Sequence, residues 1–362
     1  MPSPKTSAGN FFEDFHVGQS LVHATPRTVT SGDTALYTAL YGTRFAVQSS
    51  TAFAQTAGHW RAPVTGAAQA PVDDLLVFHI VFGKTVADIS LNAVANLGYA
   101  ECRFLAPVYP GDTLTACSDV IGLRETSAAD SGVVYVRTTG RKMDSDGRTT
   151  DVLTYVRWVM VRKRDKASPA PDPVVPTLAE RVDPDLLGAC VPPMRGGYDF
   201  RISGSPHRWG DYEVGERIDH VDGMTVEEAE HQLATRLYQN TARVHFDAHA
   251  AKDTRFGKRL IYGGVAISLA RALSFNGLAN AFHIAAINGG RHVAPLFAGD
   301  TVYAWSEVLE RAEIPYKPGI GALRTRLVAT KNLPTTGVPL KTGDTYTDGV
   351  ILDLDLWLLL PQ

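Results

Sequence analysis

Cysteine is scarce in this sequence: Cys102, Cys117 and Cys190 are the only three in 362 residues. They are odd in number and lack Cys-x-x-Cys spacing, which argues against a disulfide framework and against a zinc site. Such sparing use fits a reducing compartment, and we expect a cytoplasmic protein. No run approaches the roughly 18 apolar residues that a membrane span needs. The first ten residues lack the apolar centre of a signal peptide. An excess of one charge is missing too. The 35 Lys and Arg oppose 38 Asp and Glu, a formal charge of −3, so bulk electrostatics points to neither a nucleic-acid nor a membrane partner. The chain does have ordinary globular composition, 44% hydrophobic and 20% charged. That suffices for two domains of roughly 150 to 180 residues, each with its own core.

The chain repeats itself. Phe12-Glu13-Asp14-Phe15-His16-Val17-Gly18 matches Trp209-Gly210-Asp211-Tyr212-Glu213-Val214-Gly215, an offset of 197. Thr28-Val29 meets Thr225-Val226 at the same offset, and Leu40-Tyr41 meets Leu237-Tyr238. Further on, Ala106 to Leu114 matches Ala294 to Val302, an offset of 188. Two matched blocks in one order indicate duplication. The change of offset places extra residues in the first copy, most naturally in the Ala-, Gly- and Pro-rich stretch His59 to Pro71. Between the copies, residues 165–176 carry four prolines and form a stiff, extended linker. We therefore expect a first unit over 1–164 and a second over 177–362.

Within the second copy, Thr225-Val226-Glu227-Glu228 has a capping-box pattern. It predicts a helix with Val226, Ala229, Leu233 and Leu237 on one apolar stripe. A loop follows through Asn240 to Phe256. Gly263-Gly264 then opens a second helix with Ala266, Leu269, Ala270 and Leu273 at helical spacing, and Gly277 is a plausible stop. Val152 to Val161 and Val350 to Leu356 read as strands. Each copy becomes a helical front followed by antiparallel strands, an α+β arrangement in which one apolar helix is available for the sheet to wrap.

The loop Leu237 to Asp247 holds Asn240, then His245 five positions on, then Asp247 two further. It resembles the Asp-x-Asn-Pro-Leu-His-x-Asp loop of the MaoC-like (R)-specific enoyl-CoA hydratases, and Leu260 to Gly264 resembles that family's start of the central helix. The resemblance implies a hotdog fold, here in tandem as a double hotdog. It also implies a hydro-lyase acting on an acyl-CoA thioester without a cofactor or metal. His23 to Thr30, Leu36 to Gly42, Phe78 to Thr85 and Tyr155 to Arg164 resemble, within that family, hydratases of branched C5-dicarboxyl CoA thioesters. A homo-oligomer is expected by analogy with other hotdogs.

The implied chemistry suits these residue types. Hydrating an enoyl thioester needs a base for water, an acid for the α-carbon and donors for the developing enolate oxygen. Histidine suits the first two tasks near neutral pH, and backbone N–H groups at a helix N-terminus suit the third. The resemblance therefore makes His245 the acid–base catalyst, Asn240 the residue that positions water, and Gly263 or Gly264 the oxyanion hole. The sequence departs from the family at Asn240, where an Asp is usual. Either His245 works alone with an oriented water, or a carboxylate from elsewhere substitutes. In the first copy Thr43 stands at the Asn240 position and Gln48 at the His245 position. Neither is a general base, so that copy reads as catalytically silent and as a wall of the acyl pocket.

Plainer readings stand beside these. Asp247 reads as a loop brace and His79 as a core histidine bonded to a neighbour. The glycine pair also suits tight helix–sheet packing. Lys252, Arg255, Lys258 and Arg259 are either a solvated face or contacts for CoA phosphates. Arg44, Arg243 and Arg291 are equal candidates for a substrate carboxylate. Thioester hydrolysis, or acyl-CoA binding without turnover, stays open as an alternative to hydration.

Overall fold

A computed structural model describes residues 5–62, 66–144, 146–194 and 197–362. The first copy runs β1 (Ser20–Thr28), α1 (Ser31–Tyr41), α2 (Ala46–Ser49), α3 (Thr51–Ala57), α4 (Asp74–Thr85), β2 (Ala93–Phe104), β3 (Thr113–Glu125), β4 (Ser131–Met143) and β5 (Thr149–Arg162). The second runs β6 (Arg217–Thr225), α5 (Glu228–Leu237), α6 (Arg243–Phe246), α7 (Ala248–Ala251), α8 (Gly263–Leu273), α9 (Phe275–Leu278), β7 (His283–His292), β8 (Thr301–Glu313) and β9 (Ile320–Lys331). A small hairpin, β10 (Lys341–Thr342) with β11 (Thr345–Tyr346), precedes β12 (Val350–Pro361). The element order repeats. The offset is 197 through α3 and α7 and 188 at β3 and β8, and the β10–β11 hairpin widens it again before β12. The change falls between α3 and α4, where residues 63–65 lie outside those described.

Among the described residues, ten strands form one antiparallel sheet in the order β1-β3-β4-β5-β2-β7-β12-β9-β8-β6. Each copy supplies five, and the halves join where β2 pairs with β7, Tyr99 opposite Gly290 and Cys102 opposite Ile287. The sheet wraps α4 and α8, whose apolar residues belong to one shared core. This is the tandem hotdog, an α+β fold. The halves also meet through their helices. The hydroxyl of Tyr238 donates to that of Tyr41 at 2.8 Å, so two residues matched in the repeat touch each other at the pseudo-twofold axis.

Three local expectations change. Each copy opens on a strand, β1 or β6, so the helical front is not first in order. The helix of the second copy starts later than Thr225, whose hydroxyl bonds Thr301 in the sheet. The N-cap is Glu227, whose N–H donates to Glu230 Oε2 at 3.3 Å, at the place held by Thr30 with Asp33 in the first copy. The buried face is then His231, Ala234, Thr235 and Leu237. Ala229 is exposed and Leu233 is 43% exposed. The strand-bound threonine took the sequence signal that the true cap, two residues on, carries only weakly.

Gly83 shows how closely the halves approach. A Cβ there would lie 1.8 Å from the main-chain oxygen of Tyr238, so α4 sits against the end of α5 with no room for a methyl group. Gly83→Ala is expected to destabilise the protein by about 3 kcal/mol, the upper part of the overpacking range. Denaturant unfolding of the variant checks it. A loss under about 1 kcal/mol would mean that α4 and the Tyr238 segment part easily.

Candidate active site

The N-terminus of α8 is uncapped by any side chain: Tyr262, at the N-cap, makes no side-chain cap hydrogen bond. The first N–H groups of the helix, at Gly263 and Gly264, keep their donor capacity. Glycine at both positions answers a spatial need. A Cβ on Gly263 would fall 2.4 Å from the His292 ring, and one on Gly264 would fall 2.3 Å from Tyr262 and 2.5 Å from His79. The start of this helix is thus walled by His292, Tyr262 and His79.

His245 stands on α6 beside this mouth, its ring centroid 5.6 Å from that of Tyr262. Its Nδ1 lies 2.8 Å from the carbonyl oxygen of Leu260. A carbonyl only accepts, so Nδ1 carries the proton and the neutral ring keeps its lone pair on Nε2. Burial lowers the pKa of His245 to about 4, against the opposing effect of the Leu260 carbonyl. The ring is therefore neutral at pH 7. Asn240 is almost fully buried, and its Oδ1 accepts from Ala242 N–H at 3.2 Å, which ties it to the start of α6. Asp247 caps α7 by accepting from His249 N–H and Ala250 N–H. Among the described residues no carboxylate pairs with His245, which favours the reading in which the histidine works alone.

Sequence reasoning overlooked His231 and His292. The backbone N–H of Tyr262 donates to His231 Nε2 at 3.1 Å, and this bond holds the turn that leads into α8. Tyr99, from the first copy, lies 3.3 Å by its hydroxyl from His292 Nε2. A signal for both was present. At the repeat offsets His231 faces Thr34, His245 faces Gln48 and His292 faces Phe104, so the second copy carries three histidines that the first lacks. His79 is fully buried and bonds Ser268 Oγ at 3.0 Å, the neighbour-bonded core role expected of it.

The equivalent mouth in the first copy carries acids. Asp73 caps α4 by accepting from Leu75 N–H at 2.9 Å, and burial raises its pKa to about 6. Asp74 accepts from Ile284 N–H and pairs with His283 at 2.8 Å. Gln48 donates to the Phe282 carbonyl. Carboxylates at the N–H groups would repel an enolate oxygen, whereas glycines invite it.

Six buried or half-buried histidines set the acid stability. Burial lowers His79 and His231 to about 3, and His59, His220, His245 and His292 to about 4. The unfolded chain therefore binds more protons than the native one across the interval from pH 6.5 to 4, and stability falls as pH drops through it. His283 behaves oppositely: Asp74 overrides its burial and raises it to about 10, so its contribution is full below about pH 6.5 and is lost as pH rises from there to about 10. We expect the melting temperature to hold near neutrality and to drop steeply below pH 6. A flat profile down to pH 4.5 in a thermal-shift series would contradict these histidines being neutral in the fold.

The expected cationic residues scatter. Arg44, Arg243 and Arg291 are exposed, and Arg44 lies over the Phe275 ring. Arg255 and Lys258 are exposed and lie over Phe256 and Phe297, while Arg259 is engaged by Glu228 and Gln232 on α5.

Two hotdogs sharing one helix mouth armed with histidine define a MaoC-like hydratase or dehydratase, a lyase of CoA thioesters. The chain belongs to the mesaconyl-CoA hydratase family, whose profile matches residues 4–336. It is 58% identical to the β-methylmalyl-CoA dehydratase of Chloroflexus aurantiacus over 361 residues, 99% of each chain. It is also 58% identical to the mesaconyl-CoA hydratase of Cereibacter sphaeroides over 358 residues, 99% of this chain and 100% of that one. A solved MaoC domain protein dehydratase from Chloroflexus aurantiacus superimposes with a TM-score of 0.92 at 57% identity, covering 99% of both chains. A double-hotdog protein of Mycobacterium tuberculosis, 23% identical over 98% of this chain and 99% of its own, shares the fold with a TM-score of 0.69.

Proposed function

We propose that this chain reversibly hydrates mesaconyl-CoA (2-methylfumaryl-CoA) to β-methylmalyl-CoA, and that it does so at one active site, on the second copy. The observation that carries the single site is the contrast between helix mouths: glycines and a neutral histidine at α8, carboxylates at α4. The names of the two 58% identical relatives supply the substrate. Water, positioned by Asn240, gives a proton to His245 Nε2 as its oxygen attacks the β-carbon. The thioester oxygen takes up negative charge and is met by the N–H groups of Gly263 and Gly264. The imidazolium then passes its proton to the α-carbon. A ring of pKa about 4 makes a strong acid for that second step, and the Leu260 carbonyl keeps accepting from Nδ1 throughout.

The first copy forms the wall of the acyl pocket, contributing His79 and Tyr99. Arg255 and Lys258, with Arg243 and Arg44, serve the CoA phosphates electrostatically. We assign the protein to the cytoplasm and to a homo-oligomer. No helix among the described residues is long and apolar enough to cross a membrane. The test follows the loss of enoyl-thioester absorbance with mesaconyl-CoA while a thiol reagent monitors free CoA. Absorbance loss without thiol is expected. Thiol released in step with it would replace hydration by thioester hydrolysis.

A further inference from the structure

A second binding element lies one ring away from the helix mouth. Arg157, on β5, is fully buried. Its Nη2 donates to Thr85 Oγ1 at 2.9 Å and to Ser90 Oγ at 3.3 Å. Its Nε and Nη1 are buried with no hydrogen-bond partner, and so is the hydroxyl of Tyr155, two residues earlier on the same face of the strand. Among the described residues no Asp or Glu forms an ion pair with this guanidinium. Arg271, the other arginine as deeply buried, has the carboxylates of Asp73 and Asp74 near it and bonds Ser274 Oγ. A buried guanidinium without a counter-charge is strongly unfavourable. A fold that keeps one ready, with two donors free, is built for a charge that arrives from outside.

Its position says which charge. Arg157 stacks 4.3 Å over the Phe82 ring, and Phe82 lies 5.7 Å from Tyr262, the N-cap of α8. Tyr99, directly opposite Arg157 in the sheet, reaches His292, which packs on Gly263. The guanidinium is thus linked to the helix mouth through a single layer of aromatic rings. Arg44, Arg243 and Arg291, the arginines that sequence alone offered for a substrate carboxylate, are all exposed.

We propose that Arg157 and Tyr155 form the subsite for a free carboxylate at the end of the acyl group, and that this subsite selects dicarboxyl thioesters over neutral ones. The two free donors, Nε and Nη1, point to different sides of the guanidinium, so a carboxylate takes one charge-assisted hydrogen bond from either of them, and the Tyr155 hydroxyl adds a second. The proposal rests on the acyl-CoA reading of the α8 mouth.

The test separates binding from turnover. Methylsuccinyl-CoA is a saturated, unreactive acyl-CoA with the carboxylate, and 2-methylbutyryl-CoA carries a methyl group in its place. By calorimetry the parent protein should bind the acid roughly 100-fold more tightly, as expected of a desolvated, hydrogen-bonded charge pair. Arg157→Gln should abolish that preference and leave 2-methylbutyryl-CoA binding within a few-fold. Tyr155→Phe, which removes one hydroxyl and keeps the ring, should lower affinity for methylsuccinyl-CoA about tenfold with the neutral ligand unchanged, and it carries the test if the arginine variant does not fold. A preference that survives Arg157→Gln, or that Tyr155→Phe leaves undiminished, in folded protein overturns the subsite. Hydration of mesaconyl-CoA by the parent is scored separately. If it fails while the Arg157-dependent preference holds, the reaction is wrong and the subsite stands.

Discussion

Replacing His245 by alanine should lower kcat for mesaconyl-CoA hydration by about 10³-fold, within the span for loss of a general acid–base group, with little change in KM. The argument rests on the tautomer. Leu260 holds the Nδ1 proton, so Nε2 is the one lone pair that the ring can offer to water. The same atom, once protonated, is the donor for the α-carbon. No carboxylate among the described residues stands behind the ring to take over either step. His245→Gln should be equally inactive yet folded, because Gln48 occupies the equivalent place on α2 and is accommodated there. A steady-state assay of both variants decides the matter. Activity within tenfold of the parent in either would sink the assignment, and His292 would become the next candidate.

Gly264→Ala should be nearly as damaging for a different reason. Its methyl carbon would sit 2.3 Å from Tyr262 and 2.5 Å from His79. Both rings are buried, and His79 is held by Ser268 on the same helix. Relief comes only by moving the helix mouth or the rings that wall it. Displacing an oxyanion donor costs about 10² to 10³ in kcat, and the added methyl about 1 to 3 kcal/mol of stability. The two effects are separable: kcat at a temperature well below the melting point reads the first, and the melting curve reads the second. A variant as active as the parent would show that these amides do not face the thioester oxygen.

Much of this site was legible beforehand, and the misses share a cause. His245 and the glycine pair lie within one loop-and-helix stretch, so spacing and family likeness reached them. Duplication, the α+β class and the apolar run of α8 were legible as well, because repeats and periodicity are properties of the chain itself. The two strands at Val152 to Val161 and Val350 to Leu356 were read correctly in outline, whereas the cap of α5 was misplaced, since Thr225 has the better capping chemistry and the sheet engages it first. His292 and His231 were passed over, although aligning the copies at their own offsets exposes both.

By itself, then, the sequence determined the repeat and the fold class through local pattern, and the candidate catalyst through its resemblance to a family. Only the tertiary structure decided which helix mouth carries acids, which tautomer His245 adopts and which arginine lacks an acid partner. Those three depend on groups brought together across the β2–β7 seam and around the paired helices: Tyr99 with His292, Leu260 with His245, and Arg157 with no acid. A free buried charge is defined by what surrounds it in space, and residue order along the chain does not encode that directly.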